Sequence, residues 1–286
     1  MKKINLIKKL IIESHENGLL VENNQLSGFS GKSLVGTLQR FSQNLLSKDT
    51  CYLEVGVYQG LTLLSSAKSQ SIASFSGIDN FAFFDKDGHN ESIIKDRISS
   101  LNLLNVNLIN SDYEDALENL KKYIGSKKVG VYFVDGPHDY RSQLICLSLI
   151  KPYLSDNAVI IVDDSNYRHV RLANRDFLLN NPEFKLIYQS YTKAHPNNLS
   201  KQDLKDAKEG WWNGVNIIYK DTEKELIYIG CQIIKKKLFV RNKIENHSIL
   251  EIWNKLIDQK KLYGYESQKD FYHLTDLDIF KKLKDL

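Results

Sequence analysis

Between residues 50 and 165 the chain alternates short β-rich apolar runs with stretches of helical spacing. The runs are "CYLEVGV", "IASFSGID", "NVNLINSD", "VGVYFVDG" and "AVIIVDD". Each is fit for a buried strand, and "EDALENLKKYI" and "YRSQLICLSLIKPYL" carry the clearest helical spacing between them. Strand–helix alternation argues for an α/β fold, a parallel sheet wound by right-handed crossovers. "FKLIYQSYT" (184–192) and "WNGVNIIYK" (212–220) follow with no strong helix between them. They read as a closing antiparallel pair, with 195–210 as a lysine-rich insertion.

The flanks read differently. Residues 1–48 look like a helical N-terminal extension in which Ile4, Ile7 and Leu10/Ile11 mark one face of an amphipathic helix. Lys8 and Lys9 interrupt that apolar run and no small-residue cleavage site follows, which argues against a signal peptide. Residues 49–221 form the core, and 222–286 an appendage holding "ELIYIGCQII" and then "SILEIWNKLIDQKKL". No segment approaches the ~20 apolar residues of a membrane span.

Charge and cysteines narrow the class. The net charge of +4 is small and scattered, and Lys235-Lys236-Lys237 is too short a run for the dense basic face of a nucleic-acid binder. Cys51, Cys146 and Cys231 are far apart and form no disulfide framework, so a reducing cytoplasm is expected.

Open parallel sheets bind ligands beyond the carboxyl ends of their strands. Here those ends carry Glu54 with Gly56, Asp79, Ser111 with Asp112, Asp135, and Asp163 with Asp164, so the acids are expected along one rim. In "LEVGVYQGLT", Gly56 and Gly60 let backbone and ligand approach closely, but the dinucleotide fingerprint GxGxxG is missing. An acid at Glu54 suits a cationic ligand better than a pyrophosphate. Asp79 lies 19 residues after Gly60, placed to accept from ribose hydroxyls. S-adenosylmethionine, a nucleoside with a sulfonium attachment, fits both acids. "GFSGKS" (28–33) ends like a phosphate-binding loop but has two residues between its glycines where the cradle needs four.

The "ExGxxxG" loop, Asp79 and the later acids resemble a class I S-adenosylmethionine-dependent methyltransferase over roughly residues 45–220. "FVDGPHDY" with "IIVDDSN" is similar to the metal-dependent small-molecule O-methyltransferases of the catechol and macrocin types. The resemblance implies a doubly wound, mostly parallel, seven-stranded Rossmann-like sheet. It also implies Glu54, Gly56, Tyr58 and Gly60 around the methionine part, Asp79 at the ribose, and Asp112 with Tyr113 at the adenine.

If the fourth and fifth strands are neighbours, their ends lie ~4.8 Å apart. Asp135, Asp163 and Asp164 would then crowd, and a hard divalent cation such as Mg²⁺ would remove their conflict. Catechol-type relatives have an amide where this chain has Asp164. The alternative is that Asp164 only caps the next helix. His138, three residues after Asp135, stands where catechol-type relatives have a lysine and is read as a general base near a helix start. The alternative is a histidine that only caps the loop. Asp139 and Tyr140 are weaker candidates. His89, His169 and His195 read as surface residues near the rim. Trp211 and Trp212 suit either packing or a substrate wall. Arg168, Arg171 and Arg175 suit a solvated face or a contact to an anionic substrate.

The expected activity is S-adenosylmethionine-dependent, Mg²⁺-assisted transfer of a methyl group to a hydroxyl of a sugar or other small polar metabolite. The expected partner is that small-molecule acceptor, with no nucleic acid and no membrane; a homo-oligomer is compatible with the sequence. The missing GxGxxG and Glu54 count against a nicotinamide-dependent oxidoreductase. The carboxylate–histidine cluster counts against a non-catalytic binding module.

Overall fold

The five apolar runs become five parallel strands: β1 (Thr50–Val55), β2 (Ser74–Asp79), β3 (Val106–Asn110), β4 (Lys128–Val134) and β5 (Leu154–Val162). The later runs form β6 (Phe184–Ser190) and β7 (Val215–Lys220). β7 inserts antiparallel between β5 and β6, which gives one sheet of order β3-β2-β1-β4-β5-β7-β6. This computed structural model describes residues 2–22, 24–221, 249–259 and 261. The fold is therefore the α/β sheet that the alternation implied, with the seven mostly parallel strands that the resemblance implied.

Period-two alternation decides which side chains go to which layer. Tyr52, Phe75, Phe133, Val159 and Ile217 point to one face, where they meet α1 (Lys2–Asn17), α2 (Lys32–Leu45) and α3 (Leu61–Lys68) through Ile7, Leu34, Leu38, Phe41 and Leu63. Leu53, Val55, Tyr132, Val134 and Ile160 point to the other. There they pack on α5 (Tyr113–Glu118), α7 (Tyr140–Leu149) and α8 (Arg168–Asn180) through Leu117, Leu147 and Phe177. In α1, Ile7, Leu10 and Ile11 are buried while Lys8 and Lys9 stay in solvent, as the amphipathic spacing requires.

α4 (Asn90–Ser100) completes the crossover between β2 and β3. Residues 1–222 and 223–286 cluster as separate units. In the second, α10 (Ile249–Asp258) falls within "SILEIWNKLIDQKKL", while "ELIYIGCQII" lies outside the described residues. Among the described residues no helix is long and apolar enough to cross a membrane.

Two helical expectations need correction. "EDALENLKKYI" is two short helices, α5 and α6 (Lys121–Ile124), because α5 ends at Asn119, whose side chain turns back onto the Asp115 carbonyl at 3.0 Å. The 195–210 insertion contains a helix, α9 (Lys201–Glu209), with Ser200 as its N-cap accepting from Asp203 N–H.

A buried amide relay ties α7, α8 and β7. Gln143 Nε2 donates to Asn174 Oδ1 at 3.1 Å, and Asn174 Nδ2 donates to Asn216 Oδ1 at 2.9 Å. Asn174→Ala removes the partner of Gln143 Nε2 and of Asn216 Oδ1 in the interior. Urea unfolding should show a loss of about 1–3 kcal/mol, and an unchanged midpoint would show that the relay does not stabilise the fold.

Candidate active site

The chain leaves β1 towards β2 on one side and has β4 on the other, so the sheet's topological switch point lies at the end of β1. Backbone bonds continue the ladder past the strand ends. Gly56 N–H donates to Ile78 O at 2.9 Å, Asp135 N–H to Val55 O at 2.9 Å and Asp163 N–H to Val134 O at 3.0 Å. The acids at this rim therefore stand on sheet-anchored backbone. Gly56 has φ +86°, and a Cβ there would lie 1.9 Å from the Asp135 carbonyl oxygen, so only glycine closes this corner.

Asp79 organises the loop after β1. Its Oδ2 accepts from the Val57 and Tyr58 N–H groups at 2.8 and 2.9 Å, and its Oδ1 from Phe81 N–H at 2.7 Å. Tyr58 is held at φ +50°, and Gly60, at φ +83°, begins α3 with no side-chain cap. An ionised carboxylate has about four acceptor directions, so Oδ1 keeps one for a ligand.

Glu54 stands elsewhere than expected. It is fully buried between β1 and α3, with Oε2 accepting from Tyr52 O–H at 2.5 Å and Oε1 from Thr62 O–H at 2.7 Å. Burial pushes its pKa up to about 8, more than the hydrogen bonds from Tyr52, Thr62 and the Leu63 backbone lower it. It shapes the loop from beneath, held by hydroxyls on both carboxyl oxygens. Asp112 is exposed at the end of β3 and caps α5 by accepting from Glu114 N–H at 2.8 Å. Tyr113 is half-buried beside it, with its hydroxyl 3.1 Å from Glu114 Oε1. Neither reaches the acids of β4 and β5.

At those strand ends Asp135, His138 and Asp164 each bring one ligand atom within 4.8 Å of the others. His138 Nε2 lies 2.6 Å from Asp164 Oδ2. Asp163 is not in this group: it is 3% exposed and its Oδ1 accepts from Asp164 N–H at 2.8 Å. Burial drives the carboxyls of Asp135 and Asp163 well above the usual carboxylate range, and the neighbouring acid charges push the same way.

Two roles are corrected by the helix ends. α7 starts at Tyr140, and its cap is Asp139, accepting from Ser142 N–H at 3.0 Å, so His138 stands just outside the helix start. α8 starts after Tyr167 without a side-chain cap, so Asp164 caps nothing; it sits in a left-handed turn at φ +52°.

Asn213 escaped the sequence reading. It is fully buried, its Nδ2 donates to Asp164 Oδ1, and its carbonyl accepts from Asn166 N–H at 3.0 Å. An Asn-Gly pair before a strand signals a turn, but nothing in the spacing ties it to residue 164. Rings complete the surroundings. His138 stacks on Tyr167 at 4.9 Å, and Phe29 stands 5.5 Å from Tyr58 and 6.4 Å from Trp212. Trp211 packs in the core instead. In "GFSGKS" the Ser33 and Leu34 N–H groups are spent on the Gly210 carbonyl.

The donor chemistry fits a hard divalent cation. Carboxylates converge with one histidine, and among the described residues nothing donates to the buried Asn213 Oδ1 beside them.

A family described as "Methyltransferase domain" matches residues 53–165, the stretch from β1 to the turn after β5 that holds every acid above. Over this stretch the chain is similar to that methyltransferase domain. Similar solved structures were also found. A Corynebacterium glutamicum protein is 9% identical and covers 79% of this chain and 93% of its own, with a TM-score of 0.50. An O-methyltransferase from Bacillus cereus in complex with SAH is 13% identical over 77% and 91%, with a TM-score of 0.48. An O-methyltransferase from Streptomyces achromogenes involved in tomaymycin synthesis, in complex with SAM, is 14% identical over 77% and 90%, with a TM-score of 0.47. At these identities the likeness concerns the fold alone. No curated protein matches the sequence.

Glu54 gives the methyltransferase domain a pH signature. The folded chain keeps this proton up to about 8, whereas the unfolded chain releases it near 4.5. The stabilisation is present below the lower value and is lost as pH rises through the upper one. Relative to Glu54→Gln, wild type should lose unfolding free energy across that window in urea titrations. A gap independent of pH would show that Glu54 is ionised in the fold.

Proposed function

We propose that this methyltransferase moves the methyl group of S-adenosylmethionine to a hydroxyl of a sugar or other small polar metabolite, with a divalent cation, Mg²⁺, assisting. The observation that carries this reading is the meeting of Asp135, His138 and Asp164 at the switch point beside the glycine loop. Gly56, Tyr58 and Gly60 would receive the methionine part. The remaining Oδ1 direction of Asp79 suits a ribose hydroxyl, and Asp112 with Tyr113, on the next strand end, suits the adenine.

The acceptor oxygen attacks the methyl carbon, a C–O bond forms, and the S–CH₃ bond breaks with its electrons returning to sulfur. The sulfonium becomes a neutral thioether and the hydroxyl proton must leave. His138 is placed to take it. Its Nε2 is engaged by Asp164, and among the described residues nothing hydrogen-bonds Nδ1, the nitrogen left to accept. Asp135 and Asp164 would hold the cation, with Asp163 behind them. When bound, it lowers the pKa of the acceptor hydroxyl.

Calorimetry should show S-adenosylmethionine binding that weakens by about 1–3 kcal/mol in Asp79→Ala. NADH binding in its place would refute the cofactor assignment. His138→Gln should lower kcat by about 10²–10⁴-fold. Mn²⁺ binding, followed by electron paramagnetic resonance, should survive His138→Gln and disappear in Asp135→Asn. Loss of Mn²⁺ in His138→Gln would make the histidine a ligand and not the base.

A further inference from the structure

A cavity of about 500 Å³ adjoins the acid cluster. Two of its lining residues, Asn213 and Tyr167, contact Asp164 and His138 respectively. Its far wall is the 191–195 segment, which Asn166 fixes in place. The Asn166 amide nitrogen donates to Thr192 and Ala194, and its oxygen accepts from Thr192 N–H at 3.1 Å. The wall is thus built before any ligand arrives.

The lining chemistry is opposite to that of the cluster. No carboxylate lines this cavity, and its charged or titratable residues besides Tyr167 and Tyr191 are Arg171, Lys193 and His195. Lys193 is neutralised by Asp203 at 2.7 Å. Arg171 is not: among the described residues no carboxylate pairs with it. Its Nη1 donates to the Ser165 and Asn166 carbonyls and its guanidinium lies 5.4 Å from the Tyr191 ring centre, which leaves Nη2 and Nε as unused donors. His195 Nδ1 accepts from Asn197 N–H at 3.1 Å, so the ring proton of the neutral form is on Nε2, another donor. His195 stands 6.0 Å from Tyr167, which continues the row of rings that starts at His138. The start of α8 also borders the cavity and carries no side-chain cap, so its peptide dipole adds to the positive field.

A donor-rich cavity without acids, next to an acidic centre, sorts a ligand by charge. A hydroxyl belongs at the cluster and an anion belongs at Arg171. We propose that this cavity binds the anionic group, a carboxylate or a phosphate, of the hydroxyl-bearing acceptor, with Arg171 and His195 as its specificity residues. The inference rests on the methyltransferase reading above and narrows its acceptor to an acidic one. It also gives a role to the arginine spacing of α8, which the transfer chemistry leaves unused.

The test is calorimetric titration of the full chain, saturated with S-adenosylhomocysteine, at constant ionic strength. The probes are glucose 6-phosphate, glucuronate and glucose. At least one anionic probe should bind at least about tenfold more tightly than glucose, the least that one charge-assisted contact contributes. Preference for the phosphate or the carboxylate identifies which anion the cavity takes. Arg171→Gln and His195→Gln should each weaken that probe and leave S-adenosylhomocysteine binding unchanged; the second variant is needed because Arg171 also supports the 165–166 turn. Glucose binding as tightly as the anions would overturn the inference. So would no binding of either anion, or anion binding that survives both substitutions. Failure to bind S-adenosylhomocysteine would instead contradict the methyltransferase reading.

Discussion

The structure depends on the crowding of carboxylates where β1, β4 and β5 end. Neighbouring strands in a sheet are only ~4.8 Å apart, so acids at consecutive ends cannot avoid one another. Backbone bonds lock them there: Asp135 to β1, Asp163 to β4, and Gly56 against the Asp135 carbonyl. Burial then raises the cost of ionising them together, which is why Asp135 and Asp163 hold their protons so far above the ordinary range. A fold selected only for stability would place apolar residues here. His138, its Nε2 2.6 Å from Asp164 Oδ2, stands at the centre.

The same economy governs the loop after β1. Asp79 holds the Val57 and Tyr58 amides from one side and the buried Glu54 holds Thr62 and Tyr52 from below. Two acids therefore fix a loop containing one strained tyrosine and two left-handed glycines, so the loop is shaped before a ligand binds. On the opposite side of the cluster, Asn213 and Asn166 do the equivalent work with amides. The side lined by Asn166, Arg171 and Lys193 is consequently neutral to positive, whereas the rim at the strand ends is acidic.

Much of this was legible in the sequence because it follows from period and position. Apolar runs of strand length gave the strand order its alternation, and a polar residue after each run marked the rim. The closing pair 184–192 and 212–220 was legible for the same reason. What escaped was long-range. Nothing in "EDALENLKKYI" shows that Asn119 turns onto Asp115, and nothing near residue 54 shows that Tyr52 and Thr62 close over Glu54. Asn213 is 49 residues from Asp164, and only the insertion of β7 beside β5 brings them together. His138 was expected near a helix start and stands one residue before Asp139, which caps α7.

The central claim is that the crowded acids exist to hold a cation beside a methyl donor. The most direct measurement is anomalous diffraction at the manganese edge from crystals grown with Mn²⁺ and S-adenosylhomocysteine. The account predicts one strong anomalous peak in contact with carboxylate oxygens of Asp135 and Asp164, with S-adenosylhomocysteine along the 56–60 loop. Bound S-adenosylhomocysteine with no anomalous peak at these carboxylates would contradict it.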